Sequence, residues 1–329
     1  MSYNAIAPAT LNMYCWISST FSIPVHWTGE VGKDVPHPGL GPTSDYDAHY
    51  HAYYQWVPFF LFLQAILFYM PHYIWRLIDG GKMKSLVQGL NSTSMLLDTE
   101  ARKEKEKVLS KYFFQHLHLH NGWSFKFVFC ELLNLANVIG NIYFTDKFLG
   151  YQFTDFGSRA VGYLRDPKLD AISPLVKVFP RVTKCTFHMY GPSGTIERHD
   201  TLCVLALNII NEKIFVFIWF WFVILAVVTG LQIGYRAVTL WSPVLRVNML
   251  RTQARLNSQH ELDVVNRKCL FGDWFMLYNL GRNLNHFVFS EFISDLVRVM
   301  DYEQNGNVME MAPLSMPDAP AYVEKEKTY

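Results

Sequence analysis

Apolar residues along this chain gather into three long blocks separated by polar stretches. The first runs from Val57 to Trp75 with no Asp, Glu, Lys or Arg and stops at Arg76. The second runs from Phe127 to Thr145 between Lys126 and Asp146, and the third from Ile214 to Tyr235 between Lys213 and Arg236. Each is close to the ~20 residues that a helix needs to cross a hydrocarbon core. The third carries no charge and contains Trp219, Phe220, Trp221 and Phe222 in succession, so it is apolar on every side and unsuited to the surface of a water-soluble domain. Directly ahead of the first block stands Tyr53-Tyr54-Gln55-Trp56-Val57, an aromatic, hydrogen-bonding cluster suited to seating a helix end at a membrane edge, with Arg76 as the cation at the other end. The pattern predicts an all-α polytopic membrane protein, a bundle of transmembrane helices.

The blocks divide the chain into a leading segment 1–56, a span 57–78, a loop 79–123, a span 124–145, a loop 146–213, a span 214–236, a helical region 237–304 and a disordered tail 305–329. Residues 1–56 hold a single Lys or Arg, Lys33, whereas Arg76, Lys82 and Lys84 follow the first span closely. The excess of cations on cytosolic loops therefore places 1–56 and 146–213 outside and 79–123 and 237–329 inside. Glu100 to Lys107 reads as a solvated, charge-laced helix. Trp274, Leu277, Tyr278 and Leu284, then Phe287 to Val299, read as packed helices of the last region. Asn91-Ser92-Thr93 matches a glycosylation acceptor but falls on the cytosolic side, where it stays unmodified.

Composition narrows the function. A formal net charge of +1 provides no electrostatic footprint for nucleic acid. No nucleophile elbow, phosphate-binding glycine loop or zinc-protease helix is present, so no enzymatic activity and no cofactor is expected. His49 with His51, and His116, His118 and His120, alternate at a spacing that turns helical side chains about 200° apart, which disfavours a shared metal. Of the five cysteines, Cys15, Cys185 and Cys203 fall in segments assigned to the oxidising exterior, where disulfides are the default, and their odd number leaves one over. In the middle span Glu131, Asn134, Asn137 and Asn141 share a sector of about 120°, which is either a water-facing surface or a seam of interhelical hydrogen bonds. Pro71 interrupts the hydrogen-bond ladder of the first span and predicts a kink, either a hinge or static shape.

The Tyr53–Val57 cluster, Tyr14-Cys15-Trp16-Ile17, Phe21-Ser22-Ile23-Pro24, Lys184-Cys185-Thr186-Phe187 with Cys203, and Gly272-Asp273-Trp274-Phe275 resemble the innexins, the invertebrate gap-junction proteins, over about residues 13–300. The resemblance implies extracellular segments linked by disulfides, with Cys15 paired to Cys185 and Cys203 without its usual mate. It implies a multi-pass plasma-membrane protein of the gap junction. Its partners would be other innexin subunits in a homomeric or heteromeric ring, a docked ring on the adjacent cell, and membrane lipid. Ions and small metabolites would pass between cells. The family has four spans; the first, and the start of the first loop with its cysteine, have no counterpart here, and Met1–Leu11 stands in their place without a motif of its own. Because that missing part lines much of the family's pore, the resemblance implies a subunit impaired or regulatory by itself. The alternative is a junctional adhesion protein that does not conduct.

Overall fold

The computed structural model describes residues 7–28, 31–42, 48–90, 99–165 and 173–304. The tail 305–329 and Asn91-Ser92-Thr93 lie outside the described residues. In chain order the elements are α1 (Pro8–Ser18), β1 (Thr20–Ser22), β2 (His49–His51), α2 (Val57–Asp79), α3 (Lys82–Val87), α4 (Thr99–Gln115), α5 (Asn121–Phe148), α6 (Phe156–Arg165) and α7 (Pro174–Val178). There follow β3 (Val182–Tyr190), β4 (Ile196–Val204), α8 (Leu207–Trp241), α9 (Pro243–Gln253), α10 (Gln259–Lys268), α11 (Phe271–Asn283) and α12 (His286–Gln304).

Among the described residues, three helices, α2, α5 and α8, are long and apolar enough to cross a membrane. With 35 residues, α8 extends about 52 Å at the helical rise and so projects beyond a hydrocarbon core of roughly 30 Å. Pro58 sits in the first turn of α2, where its missing N–H leaves no bond unmade, and Gly80 ends the helix in the left-handed conformation with its N–H on the Arg76 carbonyl. Large side chains such as Phe59, Phe62, Phe217 and Leu231 are exposed on these helices, as faces turned toward lipid require.

The chain forms two compact units, one of Met1–Gly80 with Phe125–Trp241 and the other of Gly81–Ser124 with Ser242–Tyr329. The first unit contains the spans and a four-stranded sheet in the order β2-β1-β3-β4. β3 and β4 pair antiparallel from Val182–Val204 to Tyr190–Ile196, and β1 joins β3 at Phe21 and Lys184. The sequence reading contained no sheet here, because β3 and β4 carry Lys184, His188, Arg198, His199 and Asp200 among their apolar residues and do not alternate cleanly. Partners elsewhere absorb that polarity: Lys184 is buried, reaching Asp200 at 2.7 Å and the Gly41 carbonyl at 2.6 Å. Where the sheet side of the unit meets the span ends, Phe60 stacks on Phe148 (4.1 Å) and Phe179 on Phe215 (5.3 Å), within one buried aromatic cluster.

The second unit packs α4 along α12 and α9 against α10 and α11 around Phe113, Leu250, Met276, Leu280, Phe289 and Phe292. Ser258 and Glu261 form a reciprocal capping box that starts α10.

Candidate functional site

Three cysteines, Tyr54 and Leu205 form a small buried core between α1 and the sheet. A disulfide bonds Cys15 of α1 to Cys185 of β3, and Cys203 of β4 is a buried free thiol whose pKa burial pushes up. The hydrogen bonds around this core explain the aromatic cluster ahead of α2. The last carbonyls of a helix have no partner within it, and here they find side chains from the cluster. Tyr54 Oη donates to the Trp16 carbonyl at 3.2 Å and to that of Cys15 at 3.4 Å. Gln55 Nε2 donates to the Trp16 carbonyl at 2.7 Å and to that of Ile17 at 3.1 Å. Tyr53 Oη donates to the Val178 carbonyl at 3.0 Å, with its ring edge-on to Phe179.

The cluster therefore holds the ends of α1 and α7 to the start of α2. Tyr54 and Val57 are buried, whereas Trp56 is 61% exposed. Reading the whole cluster as an interfacial anchor missed the capping role, because the α1 carbonyls that Tyr54 and Gln55 serve lie nearly forty residues away in sequence.

A second constellation runs through the spans. Arg236 of α8 donates from Nε to Glu131 Oε2 at 2.7 Å and from Nη2 to Glu131 Oε1 at 2.6 Å, while Gln232 Nε2 reaches Oε1 at 3.1 Å. The guanidinium also lies over the Phe127 ring, 5.5 Å from its centre. Farther along α5, Asn141 Nδ2 donates to the Asn137 carbonyl at 2.8 Å, and Thr145 Oγ1 donates to the Asn141 carbonyl and accepts from Gln64 Nε2 of α2, both at 2.7 Å. Glu131 and Asn137 are half-buried, Asn141 is buried and Asn134 is exposed. Of the four polar residues singled out on α5, Glu131 thus ties α5 to α8, and Asn141 joins through Thr145 a bond to α2. Sequence reasoning missed Arg236, Gln232, Gln64 and Thr145, having treated Arg236 as the flank of an apolar run. The available signal was one acid inside the second block and one cation ending the third. Pro71 is buried within α2, which continues unbroken past it to Asp79.

In the second unit, Gly272-Asp273-Trp274-Phe275 opens α11 against the start of α5. The fully buried Asp273 carboxylate accepts from the backbone N–H groups of His118 (3.0 Å) and Leu270 (3.2 Å) and contacts His120 Nδ1 at 3.1 Å. A side chain at Gly272 would overlap the Asn121 backbone, so only glycine permits this approach. Trp274 Nε1 donates to the Arg246 carbonyl at 2.9 Å. Two of the histidines considered for metal thus serve a carboxylate, and His51 shares a 2.8 Å hydrogen bond with Ser22 Oγ. Burial, with His49 beside it, pushes the His51 imidazole down to about 4, so it is neutral at physiological pH. Among the described residues, no three His, Cys, Asp or Glu are grouped to hold a metal ion.

Three helices long and apolar enough to cross a membrane, with a disulfide-linked sheet beside them, define a polytopic membrane protein. The innexin family model matches residues 3–300. The chain is 46% identical over 297 residues to Innexin inx2 of Drosophila melanogaster, covering 90% of this chain and 80% of that protein. It is 45% identical over 295 residues to Innexin inx2 of Schistocerca americana (89% and 82%), and 39% identical over 319 residues to Innexin inx3 of Drosophila melanogaster (96% and 80%). The chain belongs to the innexin family and is a multi-pass plasma-membrane protein of the gap junction. The family match corrects the sequence reading at one point: it takes in residues 3–12, which the motifs did not reach. Innexins are channel proteins rather than enzymes, and they assemble as oligomers.

Proposed function

We propose that this chain is a subunit of a ring-shaped channel that passes ions and small metabolites between cells, in homomeric rings or in rings shared with other innexins. The sheet module faces the extracellular gap and the second unit faces the cytosol. The Cys15–Cys185 disulfide carries this reading, because it welds α1 to the sheet beside the span ends and such bonds persist in an oxidising exterior. The free, buried Cys269 in the second unit fits the reducing side. The Glu131–Arg236 pair supports α5 and α8 as neighbours held by a polar seam, in preference to a water-facing Glu131. The proposal includes a regulatory version, in which the chain modifies the conductance of rings it shares and conducts poorly by itself.

Paired cells expressing the chain alone, or together with an inx2-type innexin, test this through dye transfer and co-purification. Transfer by the chain alone supports the simple channel, and altered transfer with co-purification supports the regulatory version. Junctional localisation and adhesion with no effect on transfer would replace both with a structural role.

A further inference from the structure

We propose that the first unit carries a binding site for a phosphate group in the cavity formed by the end of β2, the end of α5 and the end of α7. The cavity has a volume of about 270 Å³, below the range of drug-sized ligand pockets and suited to a single small anionic group. Lys147 and Lys177 line it from two different elements, with His49 and Gln152 as further polar groups, and among the described residues no Asp or Glu lines it.

Three other lysines of the molecule are paired: Lys184 with Asp200, Lys213 with Glu212, and Lys268 with Asp301. Among the described residues, neither Lys147 nor Lys177 has a carboxylate within ion-pair distance, so both ammonium groups are open to an anionic partner. Two lysines lining one concave surface favour a compact anion with several acceptor oxygens.

Helix ends normally oppose an anion at their C-terminus, since the last carbonyls carry partial negative charge. Here the turn after α5 removes much of that objection. Leu149, Gly150 and Tyr151 donate their backbone N–H groups to the carbonyls of Thr145, Lys147 and Asp146, with Gly150 and Tyr151 both in the left-handed region. The carbonyls are occupied while the Lys147 side chain stays exposed. The cavity also lies at the level where spans end, since Phe148 is the last residue of α5 and Tyr53 stands four residues before the start of α2. Its ligand is therefore either the phosphate of a lipid headgroup or a phosphate from solution. Recognition is the same, through the two ammonium groups.

The test uses the full chain purified in phosphatidylcholine nanodiscs, and its melting temperature as readout. One arm titrates inorganic phosphate against sodium chloride of equal ionic strength; the other replaces part of the phosphatidylcholine with phosphatidic acid. The comparison protein is Lys147→Gln with Lys177→Gln, checked for an intact Cys15–Cys185 bond by non-reducing peptide mapping. Stabilisation of the wild type, weakened about tenfold in affinity for each lysine removed, supports the site. A response to phosphatidic acid alone identifies lipid as the source, and a response to inorganic phosphate alone identifies the solute. Wild type and double variant responding alike in both arms, or no response in either, overturns the proposal. Single variants at the same lysines keep the test decisive if the double variant does not fold.

Discussion

Arg236 of α8 holds Glu131 of α5 through two hydrogen bonds of 2.7 and 2.6 Å, one to each carboxylate oxygen, with both side chains largely withdrawn from solvent. A forked pair of this kind gives the two spans a fixed register as well as attraction. Removing one member strands the other charge in a poorly solvated place, which costs about 3–5 kcal/mol. Glu131→Gln or Arg236→Gln should therefore lower the melting temperature of the purified protein sharply. The double variant should lose less than the sum of the two, and strict additivity in that cycle would show that the pair is not coupled.

Tyr54 and Gln55 satisfy the carbonyls of Cys15, Trp16 and Ile17 at the end of α1. Each neutral bond contributes about 1 kcal/mol. Tyr54→Phe and Gln55→Ala should loosen α1 and speed reduction of the Cys15–Cys185 bond by dithiothreitol, with the combined variant fastest. Equal reduction rates in all variants would remove the capping role.

The approach of α11 to the start of α5 depends on Gly272 and Asp273. Gly272→Ala places a methyl group into the Asn121 backbone, an overpacking that costs about 1–3 kcal/mol or more where the backbone cannot shift. Asp273→Ala leaves the N–H groups of His118 and Leu270 without their acceptor. Both variants should show faster cleavage of the second unit under limited proteolysis, while a surface change such as Arg298→Gln should not. Unchanged cleavage in Gly272→Ala would refute the close contact.

Glu106 of α4 is buried beside Arg102 and faces Glu291 and Asp295 of α12. Burial, reinforced by the neighbouring Glu291, pushes its carboxyl up to about 7, with Arg102 acting against that rise. An acid whose pKa is raised by folding holds a proton that the unfolded chain releases. Its contribution to stability is therefore full below about 4.5 and lost as pH rises through about 7. Glu106→Gln should melt at a temperature that gains on the wild type between pH 5 and pH 8. A constant difference across that range would place the carboxyl at its ordinary value.

Much of this molecule is written in its hydropathy. The spans are legible because uncharged blocks such as Ile214–Tyr235 admit no other placement, and the helices of the second unit because Trp274, Leu277 and Tyr278 recur at helical spacing. The sheet is not legible: its buried Lys184 is tolerable only once Asp200 and the Gly41 carbonyl are in place, and those contacts join segments far apart in sequence. Arg236 shows the same limit from the other side. A cation at the end of an apolar run reads as a boundary marker until α5 brings Glu131 to it. Likewise, Tyr53, Tyr54 and Gln55 stand out as a motif, but the carbonyls they serve emerge only from the packing of α1 and α7.

The most direct test of the account is dual voltage clamp of paired cells expressing this chain with an inx2-type innexin, comparing the wild type with Cys185→Ser at matched surface levels. A ring built on the disulfide-linked extracellular module predicts that the wild-type chain changes junctional conductance relative to the partner alone, and that Cys185→Ser abolishes that change. Junctional conductance that is the same with the wild type, the variant or neither would contradict it.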